Sequence, residues 1–152
     1  MGDDRQVDES RSDGVVTLRP PQPGDSLVLV AGRDDEFRRW LGTGSPEPRP
    51  TACIVVDDDV VGWIDYDTEQ PWLDAGAVNI GYSLFAESRG RGYATRGLQL
   101  LLEHLRVRTA FTTAHLLIDP ANTRSLAVAS RAGFIRAGEI DGQLLFSRTI
   151  AR

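Results

Sequence analysis

The chain has 152 residues, 41% of them apolar and 26% charged, and its formal net charge is −5. This length suits one domain with a hydrophobic core, and the acidic balance argues against a general nucleic-acid-binding protein, which needs a basic face. Cys53 is the single cysteine, so no internal disulfide can form. The sequence contains no run of about 18 apolar residues, so we expect no membrane span.

The N-terminal segment, residues 1–14, is rich in charged and small residues and has no hydrophobic periodicity. This composition predicts a disordered tail, and the lack of an apolar stretch argues against a secretory signal. We therefore expect one domain over residues 15–152. We also expect a cytoplasmic protein that is a monomer or a homodimer, with no membrane and no nucleic-acid partner.

Short β-rich runs separated by Pro, Gly and Asp dominate the first half of the chain. Each such run predicts a strand, and each cluster of turn residues predicts a connection. Helical periodicity is weak here and is interrupted at Gly32. The predicted elements are a strand over 15–19, a helical region over 25–41, a loop over 42–50 and a hairpin with strands at 51–56 and 60–67.

The second half has clearer patterns. Apolar residues recur at helical spacing over 93–108, which predicts the longest helix of the chain. Asn122 as an N-cap and Gly133 as a C-cap signal delimit a second helix through Arg131. The remaining elements are strands over 77–84, 113–118, 134–140 and 143–150, the last two joined by a tight turn.

The order strand, glycine loop, helix, strand in the centre of the chain predicts two parallel neighbouring strands. The outer hairpins are antiparallel, so the sheet is mixed and the fold class is α+β or α/β. A ligand site is expected at the carboxyl end of the strand over 77–84.

The glycine loop ESRGRGYAT spans residues 87–95 and places two arginines where a helix begins. A helix N-terminus carries partial positive charge and unpaired N–H groups, so a bound anion would stabilise the arginines and the N–H groups together. The alternative is a glycine turn with solvated arginines. A phosphate-binding P-loop would need a lysine, and a dinucleotide fingerprint would need a third glycine where Thr95 stands.

Arg89-x-x-Gly92-x-Ala94 resembles the signature with which GNAT-superfamily N-acetyltransferases hold the pyrophosphate of acetyl-CoA. The match covers about residues 15–150 and is most similar to the branch of the ribosomal-protein N-terminal acetyltransferases (RimJ/RimL-like). The other matching pieces are Trp40-Leu41, Gly62-Trp63-Ile64, Ile80–Leu84, Asn122-x-x-Ser125 and Ala132-Gly133-Phe134.

This resemblance implies a fold and an activity. The fold would be a mostly antiparallel sheet of six to seven strands, with a parallel β-α-β unit at the acetyl-CoA site and helices on both faces. The activity would be transfer of an acetyl group from acetyl-CoA, as co-substrate, to an amine acceptor. No metal is implied, and two separated histidines with one cysteine form no metal-ligand pattern.

The resemblance also assigns roles to individual residues. A backbone N–H at Leu84 or Phe85 would polarise the thioester carbonyl, and Ser125 would protonate the departing thiolate directly or through water. The alternative for Asn122 is a plain helix cap, and that for Ser125 is a hydroxyl bonded to its own backbone. The expected cofactor-binding residues are Leu84, Phe85, Arg89, Gly90, Arg91, Gly92, Tyr93, Ala94, Thr95, Asn122 and Ser125.

Two positions depart from the family pattern. Asn79 stands where many relatives have a glutamate as general base, and Ala129 stands where many have a tyrosine as general acid. Asp65 and Asp67 alternate on one strand and so share a face, which makes Asp65 a candidate catalytic residue beside Ser125 and Asn79. A solvated strand face is the alternative for both aspartates.

Two further classes of function compete with an acetyltransferase. Asn79 and Ala129 favour a non-catalytic acyl-CoA-binding protein with the same fold. A nucleic-acid-binding module is disfavoured by the net charge and by the lack of spaced aromatic residues for base stacking.

Overall fold

The computed structural model describes residues 5–150. Its elements are β1 (Arg11–Ser12), β2 (Thr17–Arg19), α1 (Asp25–Ala31), α2 (Asp35–Leu41), β3 (Ala52–Val56), β4 (Asp59–Asp67), β5 (Ala77–Leu84), α3 (Tyr93–Arg108), β6 (Thr113–Ile118), α4 (Thr123–Arg131), β7 (Ile135–Ile140) and β8 (Gln143–Thr149). A single 3-10 turn (Ala86–Ser88) follows β5. No helix within residues 5–150 has the length and hydrophobicity of a membrane span.

The strands form one sheet in the order β1-β2-β3-β4-β5-β6-β8-β7, and within the described residues only β5 and β6 run parallel. The predicted α+β fold with a mostly antiparallel sheet and a parallel β-α-β unit is therefore confirmed. The sheet has eight strands instead of the predicted six to seven. One strand was missed because β1 has two residues and lies in a segment without a strand pattern.

Helices cover both faces of the sheet, as predicted. Alternate residues of β3 point to opposite faces. Ile54 faces α3, where Gly97 permits close contact: a Cβ on Gly97 would lie 3.4 Å from Ile54 Cδ1. Cys53 faces α1, and its thiol donates to Asp25 Oδ2 at 3.4 Å. Burial raises the pKa of Cys53 to about 12, so the thiol remains a protonated donor.

The early helical region consists of two short helices, and the break falls at Gly32 as predicted. A Cβ at Gly32 would overlap Phe85 Cε1, so glycine is needed for the Phe85 ring to pack there. Helix α2 begins after Asp34, whose carboxylate accepts a hydrogen bond from Phe37 N–H at 3.0 Å. Phe37 is buried and anchors α2.

The prediction of a disordered segment is wrong for residues 5–14, which we call the N-terminal arm; residues 1–4 lie outside the described residues. Val7 is 5% exposed, belongs to the main hydrophobic core and donates its N–H to Thr51 O at 3.0 Å. Strand β1 then pairs with β2 at the edge of the sheet.

Ion pairs also connect the N-terminal arm to helix α3. Asp13 contacts Arg96 at 3.0 Å, and Asp8 contacts Arg108 at 2.9 Å. The acidic composition that suggested disorder is thus neutralised by arginines 83 and 100 positions away in the chain. Composition alone does not reveal such partners, which explains the wrong prediction.

Candidate active site

A cleft opens where β5 and β6 separate. The two strands pair only through Ala77–Asn79 and Thr113–His115. Beyond these residues, Ile80–Leu84 and Leu116–Ile118 line opposite sides of the cleft, and α2, α4 and the glycine loop close the rest of it. Separation of parallel strands toward their carboxyl ends leaves backbone groups facing the gap, which is where ligands bind in open sheets.

The edge of β5 that faces the cleft carries the N–H of Leu84. Phe85 N–H donates to Val61 O at 2.8 Å, so it is bonded toward β4. Successive residues of an antiparallel ladder alternate between bonding the partner and pointing away, and Leu84 pairs with Gly62 in the next position. Leu84 N–H therefore points toward β6. Of the two predicted carbonyl-polarising donors, Phe85 is wrong because its N–H is already bonded.

The glycine loop places unpaired donors at the end of the cleft. Gly90 and Gly92 have φ values of 77° and 84°, and Gly92 is the N-cap of α3 with no side-chain cap. Thr95 Oγ1 is buried without a hydrogen-bond partner among the described residues. Most of the predicted cofactor-binding residues line this one cleft: Leu84, Arg89, Gly90, Gly92, Tyr93, Ala94, Thr95, Asn122 and Ser125.

The side chain of Arg89 does not match its predicted role as an anion partner. Its guanidinium donates to Asp34 Oδ2 and Oδ1 at 2.7 and 2.9 Å, and it also lies 2.9 Å from Glu36 Oε2. These bonds hold the pKa of the Asp34 carboxyl well below its usual range. The Arg89 side chain is therefore already paired with carboxylates of α2 and its N-cap.

A second cation lines the cleft beside the loop. Arg91 is exposed, donates its Nε to Glu87 O at 3.2 Å and does not line the cleft. Arg124 does line it, and a Cβ on Gly90 would lie 3.7 Å from Arg124 Nη1. We did not identify Arg124 from the sequence. The available signal was a cation in the first turn of a helix, which is the anomaly that drew attention to the loop arginines.

Two hydroxyls meet on the inner side of the cleft. Tyr82 O–H donates to Ser125 Oγ at 3.1 Å, and burial raises the pKa of Tyr82. Asn122 caps α4 by accepting the Ser125 N–H at 3.2 Å, so the helix-cap interpretation of Asn122 is correct and does not exclude a second role. Sequence reasoning missed Tyr82. Tyr82 belongs to the matching segment Ile80–Leu84, but its hydroxyl was assigned no role.

Asp65 and Asp67 share a face as predicted, but this face is not the lining of the cleft. Asp65 Oδ1 accepts hydrogen bonds from Thr51 Oγ1 at 2.7 Å and Thr51 N–H at 3.2 Å, and Arg5 lies 3.8 Å away. Burial raises the pKa of Asp65 despite these contacts. The structure thus gives Asp65 a bonded, partly buried position apart from Ser125.

The two departures from the family pattern also lie outside the cleft lining. Asn79 Nδ2 donates to Asp67 Oδ2 at 3.4 Å, while Asn79 Oδ1 is buried without a partner among the described residues. Asn79 is the last β5 residue paired with β6, so it lies at the closed end of the cleft. Ala129 is fully buried in the core of α4 and offers no proton.

Trp72 packs its ring edge-on against His115 at a centroid distance of 5.8 Å. Ser147 Oγ lies 2.7 Å from His115 Nδ1. None of the three lines the cleft. Residues 5–150 contain no group of three or more His, Cys, Asp or Glu side chains arranged to bind a metal.

The sheet thus opens at its one parallel pair among the described strands, and the glycine loop lies at the mouth of the opening. The profile of the family described as "Acetyltransferase (GNAT) domain" matches residues 33–135. The chain therefore belongs to the GNAT acetyltransferase family. No curated protein sequence matches it.

Solved structures share the fold at low sequence identity. RimJ from Mycobacterium smegmatis, in complex with CoA-disulfide, is 23% identical with a TM-score of 0.74, covering 90% of this chain and 82% of its own. RimL, a ribosomal L7/L12 alpha-N-protein acetyltransferase in complex with coenzyme A, is 19% identical with a TM-score of 0.77, covering 93% and 98%.

A third similar structure is the aminoglycoside acetyltransferase AAC(6')-Ib in complex with coenzyme A and kanamycin. It is 20% identical, with a TM-score of 0.75, and the alignment covers 88% of this chain and 94% of that one. Similarity at these identities establishes the shared fold, and these relatives act on acceptors as different as a ribosomal protein and an aminoglycoside.

Proposed function

We propose that this protein is an acetyl-CoA-dependent N-acetyltransferase that modifies a primary amine. The observation that carries the proposal is the cleft itself, which combines the glycine-loop donors, the free Leu84 N–H and the Tyr82–Ser125 pair. We also propose a cytoplasmic location and a monomeric or homodimeric state.

In this proposal the pyrophosphate of acetyl-CoA binds the backbone N–H groups from Gly90 to Thr95 and the guanidinium of Arg124. These N–H groups lie at the α3 N-terminus, where the helix dipole favours an anion. The pantetheine arm follows the free edge of β5, and Leu84 N–H donates to the thioester oxygen as negative charge develops on it.

The amine nitrogen then attacks the carbonyl carbon, and the carbon–sulfur bond breaks. Ser125 Oγ–H gives its proton to the thiolate and regains one from Tyr82, which in turn takes up a proton from water. The raised pKa of Tyr82 keeps the resting phenol protonated at neutral pH. The Tyr82–Ser125 pair would thus act as the general acid in place of the tyrosine that many relatives have at the position of Ala129.

The acceptor we propose is an α-amine, such as a peptide N-terminus. Deprotonating a lysine amine at pH 7 costs about 4.6 kcal/mol, against about 1 kcal/mol for an α-amine, given unperturbed pKa values of about 10.4 and 7.8. Because Asn79 cannot take a proton and Asp65 does not line the cleft, the amine with the smaller cost suits this site better. Water would carry the proton away.

Thiol release at pH 7 tests the proposal, with peptides bearing a free N-terminus compared with N-blocked peptides bearing a free lysine. We expect turnover of the first group. Ser125→Ala and Tyr82→Phe should each lower kcat about tenfold or more, the scale of a lost proton donor, whereas Ser130→Ala, at an exposed position of the same helix, should not. Faster turnover of the lysine peptides would mean that a strong base exists, and the argument from Asn79 would fail.

A non-catalytic acyl-CoA-binding protein is the alternative, and Asn79 and Ala129 favour it. It predicts calorimetric binding of acetyl-CoA without thiol release from any amine of a broad panel. The same panel therefore decides between the two functions.

A further inference from the structure

Arg89 lies between the glycine loop and helix α2. Its guanidinium forms two parallel bonds to Asp34, at 2.7 and 2.9 Å, and its side chain is only 12% exposed. Asp34 at the same time caps α2 through the Phe37 N–H. We propose that Arg89 is a positioning residue that fixes α2 to the acetyl-CoA loop, and so sets the wall of the cleft that faces the acceptor amine.

The geometry of the pair distinguishes it from an ordinary surface contact. Two parallel bonds between a guanidinium and a carboxylate are directional and stronger than a single contact between exposed charges. Glu36 extends the network, because it lies 2.9 Å from Arg89 and 3.6 Å from Arg124. Loop, α2 and α4 are therefore linked by one chain of alternating charges.

Helix α2 depends on this link because it has only seven residues. A helix of this length is not stable by itself in water, so its position is determined by its cap and its contacts. Phe37, Trp40 and Leu41 of α2 line the cleft. A shift of α2 would change the acceptor side of the cleft while leaving the α3 N-terminus in place. The identity of the ligands in this cleft rests on the proposed function.

Hydrogen exchange on the full, ligand-free chain tests the structural half of the inference. Arg89→Gln and Asp34→Asn should each accelerate exchange in α2 about tenfold, as expected when a charge-assisted pair is lost. Asn retains the capping oxygen, so the change at Asp34 removes mainly the pair. The matched controls are Arg91→Gln in the same loop and Asp35→Asn in the same helix. Asp35 has only an exposed pair with Arg38 at 3.2 Å, so both controls should change α2 exchange far less than Arg89→Gln does.

The double variant Arg89→Gln/Asp34→Asn should behave like Arg89→Gln alone, because both changes remove the Arg89–Asp34 pair and only Arg89→Gln also removes the contact with Glu36. Unchanged α2 exchange in Arg89→Gln would overturn the inference. So would additive effects in the double variant. These readings need no ligand, so they remain decisive even if the wild-type protein fails to bind acetyl-CoA and the proposed function is wrong.

Calorimetry with acetyl-CoA separates positioning from direct phosphate binding. Arg89→Gln should weaken acetyl-CoA affinity by less than about fivefold, similar to Arg91→Gln, since each removes one charge near the phosphates. In wild type, acetyl-CoA should slow exchange in α2, and this protection should disappear in Arg89→Gln although the ligand still binds. A loss of affinity as large as that of Gly92→Val, with α2 exchange unchanged, would identify Arg89 as a phosphate ligand and overturn the inference.

Kinetics with a peptide bearing a free α-amine complete the test. Arg89→Gln should raise KM for the peptide about tenfold and KM for acetyl-CoA less than about threefold, and Arg89→Lys should recover part of the difference. An equal rise in both KM values, together with a lower thermal midpoint, would indicate a merely structural role and contradict the inference.

Discussion

The two halves of the molecule are built differently. Residues 77–150 contain the 16-residue helix α3 and long paired strands, and leucines of α3 are fully buried against the sheet. Residues 5–50 contain two seven-residue helices and two short strands. Arginine–carboxylate pairs tie this first part to itself and to distant residues, as in Arg19–Asp25 and Arg89–Asp34.

In the proposed function, the two halves contribute differently to the cleft: one to binding of acetyl-CoA and the other to the side that faces the acceptor. The second half supplies the glycine loop, Leu84 and Ser125, which are positioned by apolar packing. The first half supplies α2, which is positioned by a cap, by charges and by one buried side chain, that of Phe37. We therefore expect changes in the second half to affect binding of acetyl-CoA, and changes in the first half to affect stability and the acceptor side.

The largest effect should come from deleting the N-terminal arm. A chain that starts at Val15 loses the buried Val7, its hydrogen bond to Thr51 and the β1–β2 pairing. Burial of a valine and the lost backbone bonds are together worth about 3 kcal/mol. We expect the thermal midpoint to fall by about 10 °C, measured by calorimetry or circular dichroism.

Point variants separate the apolar contribution from the rest of the arm. Val7→Ala should account for about 1–2 kcal/mol of the loss, whereas Val15→Ala, at a 44% exposed position, should have little effect. An unchanged thermal midpoint in the shortened chain would show that the N-terminal arm does not pack against the sheet in solution. The arm would then contribute nothing to the stability of the first half.

A second, smaller effect should appear on the ligand side. Gly92 has a left-handed conformation at the start of α3, and a Cβ there meets nothing within 4 Å. Gly92→Val should therefore fold, but its strained backbone and side chain should weaken acetyl-CoA affinity about tenfold or more. Isothermal calorimetry measures this change.

Two matched variants interpret the result. Gly92→Asn tolerates the left-handed conformation, so any loss of affinity it shows comes from the side chain occupying ligand space. Gly138→Val lies on an outer strand, where a Cβ also meets nothing within 4 Å, and should bind normally. If Gly92→Val binds acetyl-CoA with wild-type affinity, the glycine loop is not part of the binding site.

The same contrast explains which features the sequence could predict. The bounds of β5, α3 and β6 match the predicted 77–84, 93–108 and 113–118, because periodicity and caps are local signals. The break at Gly32 was also readable from the chain. The glycine loop was also readable, because glycines and arginines at a helix start indicate an anion site, and the family resemblance over Arg89 to Ala94 added which anion to expect.

Features that depend on distant partners were not predictable. Arg89 and Asp34 are separated by 55 positions, and nothing in the loop indicates that its first arginine is already paired. Phe85 was excluded as a donor only by the strand register with Val61. The Tyr82–Ser125 contact joins a strand and a helix 43 positions apart, so neither periodicity nor motif spacing could identify it.

A third prediction concerns Asp65, between the arm and the sheet. Burial raises the pKa of this carboxyl, so above the unfolded pKa of about 3.9 the native state binds more protons than the unfolded state. This contribution therefore lowers the free energy of unfolding as the pH rises from about 3.9 through the higher pKa of the folded state. The variant Asp65→Asn lacks this pH dependence of stability but keeps an oxygen that can accept the hydrogen bond from Thr51. We expect the thermal midpoint of Asp65→Asn to increase relative to that of wild type as the pH rises from about 4 to about 7.

The control for this comparison is Asp58→Asn in the exposed hairpin turn, which removes the same charge at a distant position. The comparison shows whether the pH-dependent gain belongs to the buried Asp65 or follows from removing any one negative charge. A stability difference between Asp65→Asn and wild type that shrinks as pH rises would mean that Arg5 compensates the buried charge fully in solution.

The smallest effect should come from the exposed ion pairs of the arm. Arg108 contacts Asp8 at 2.9 Å and Glu9 at 3.5 Å, but these acidic side chains are 68% and 60% exposed. Exposed pairs contribute about 0.2–1 kcal/mol and are screened by salt. Arg108→Gln should therefore lower the free energy of unfolding by less than about 1 kcal/mol in low salt, and by nearly nothing in 1 M NaCl.

Arg106→Gln provides the comparison, because Arg106 pairs with Glu103 within the same exposed turn of α3. Both variants should show a similar small, salt-sensitive loss in urea titrations. If Arg108→Gln costs much more than Arg106→Gln and keeps that cost in 1 M salt, charge and not the buried Val7 attaches the arm. The first half of the molecule would then depend on ion pairs even at its most apolar contact.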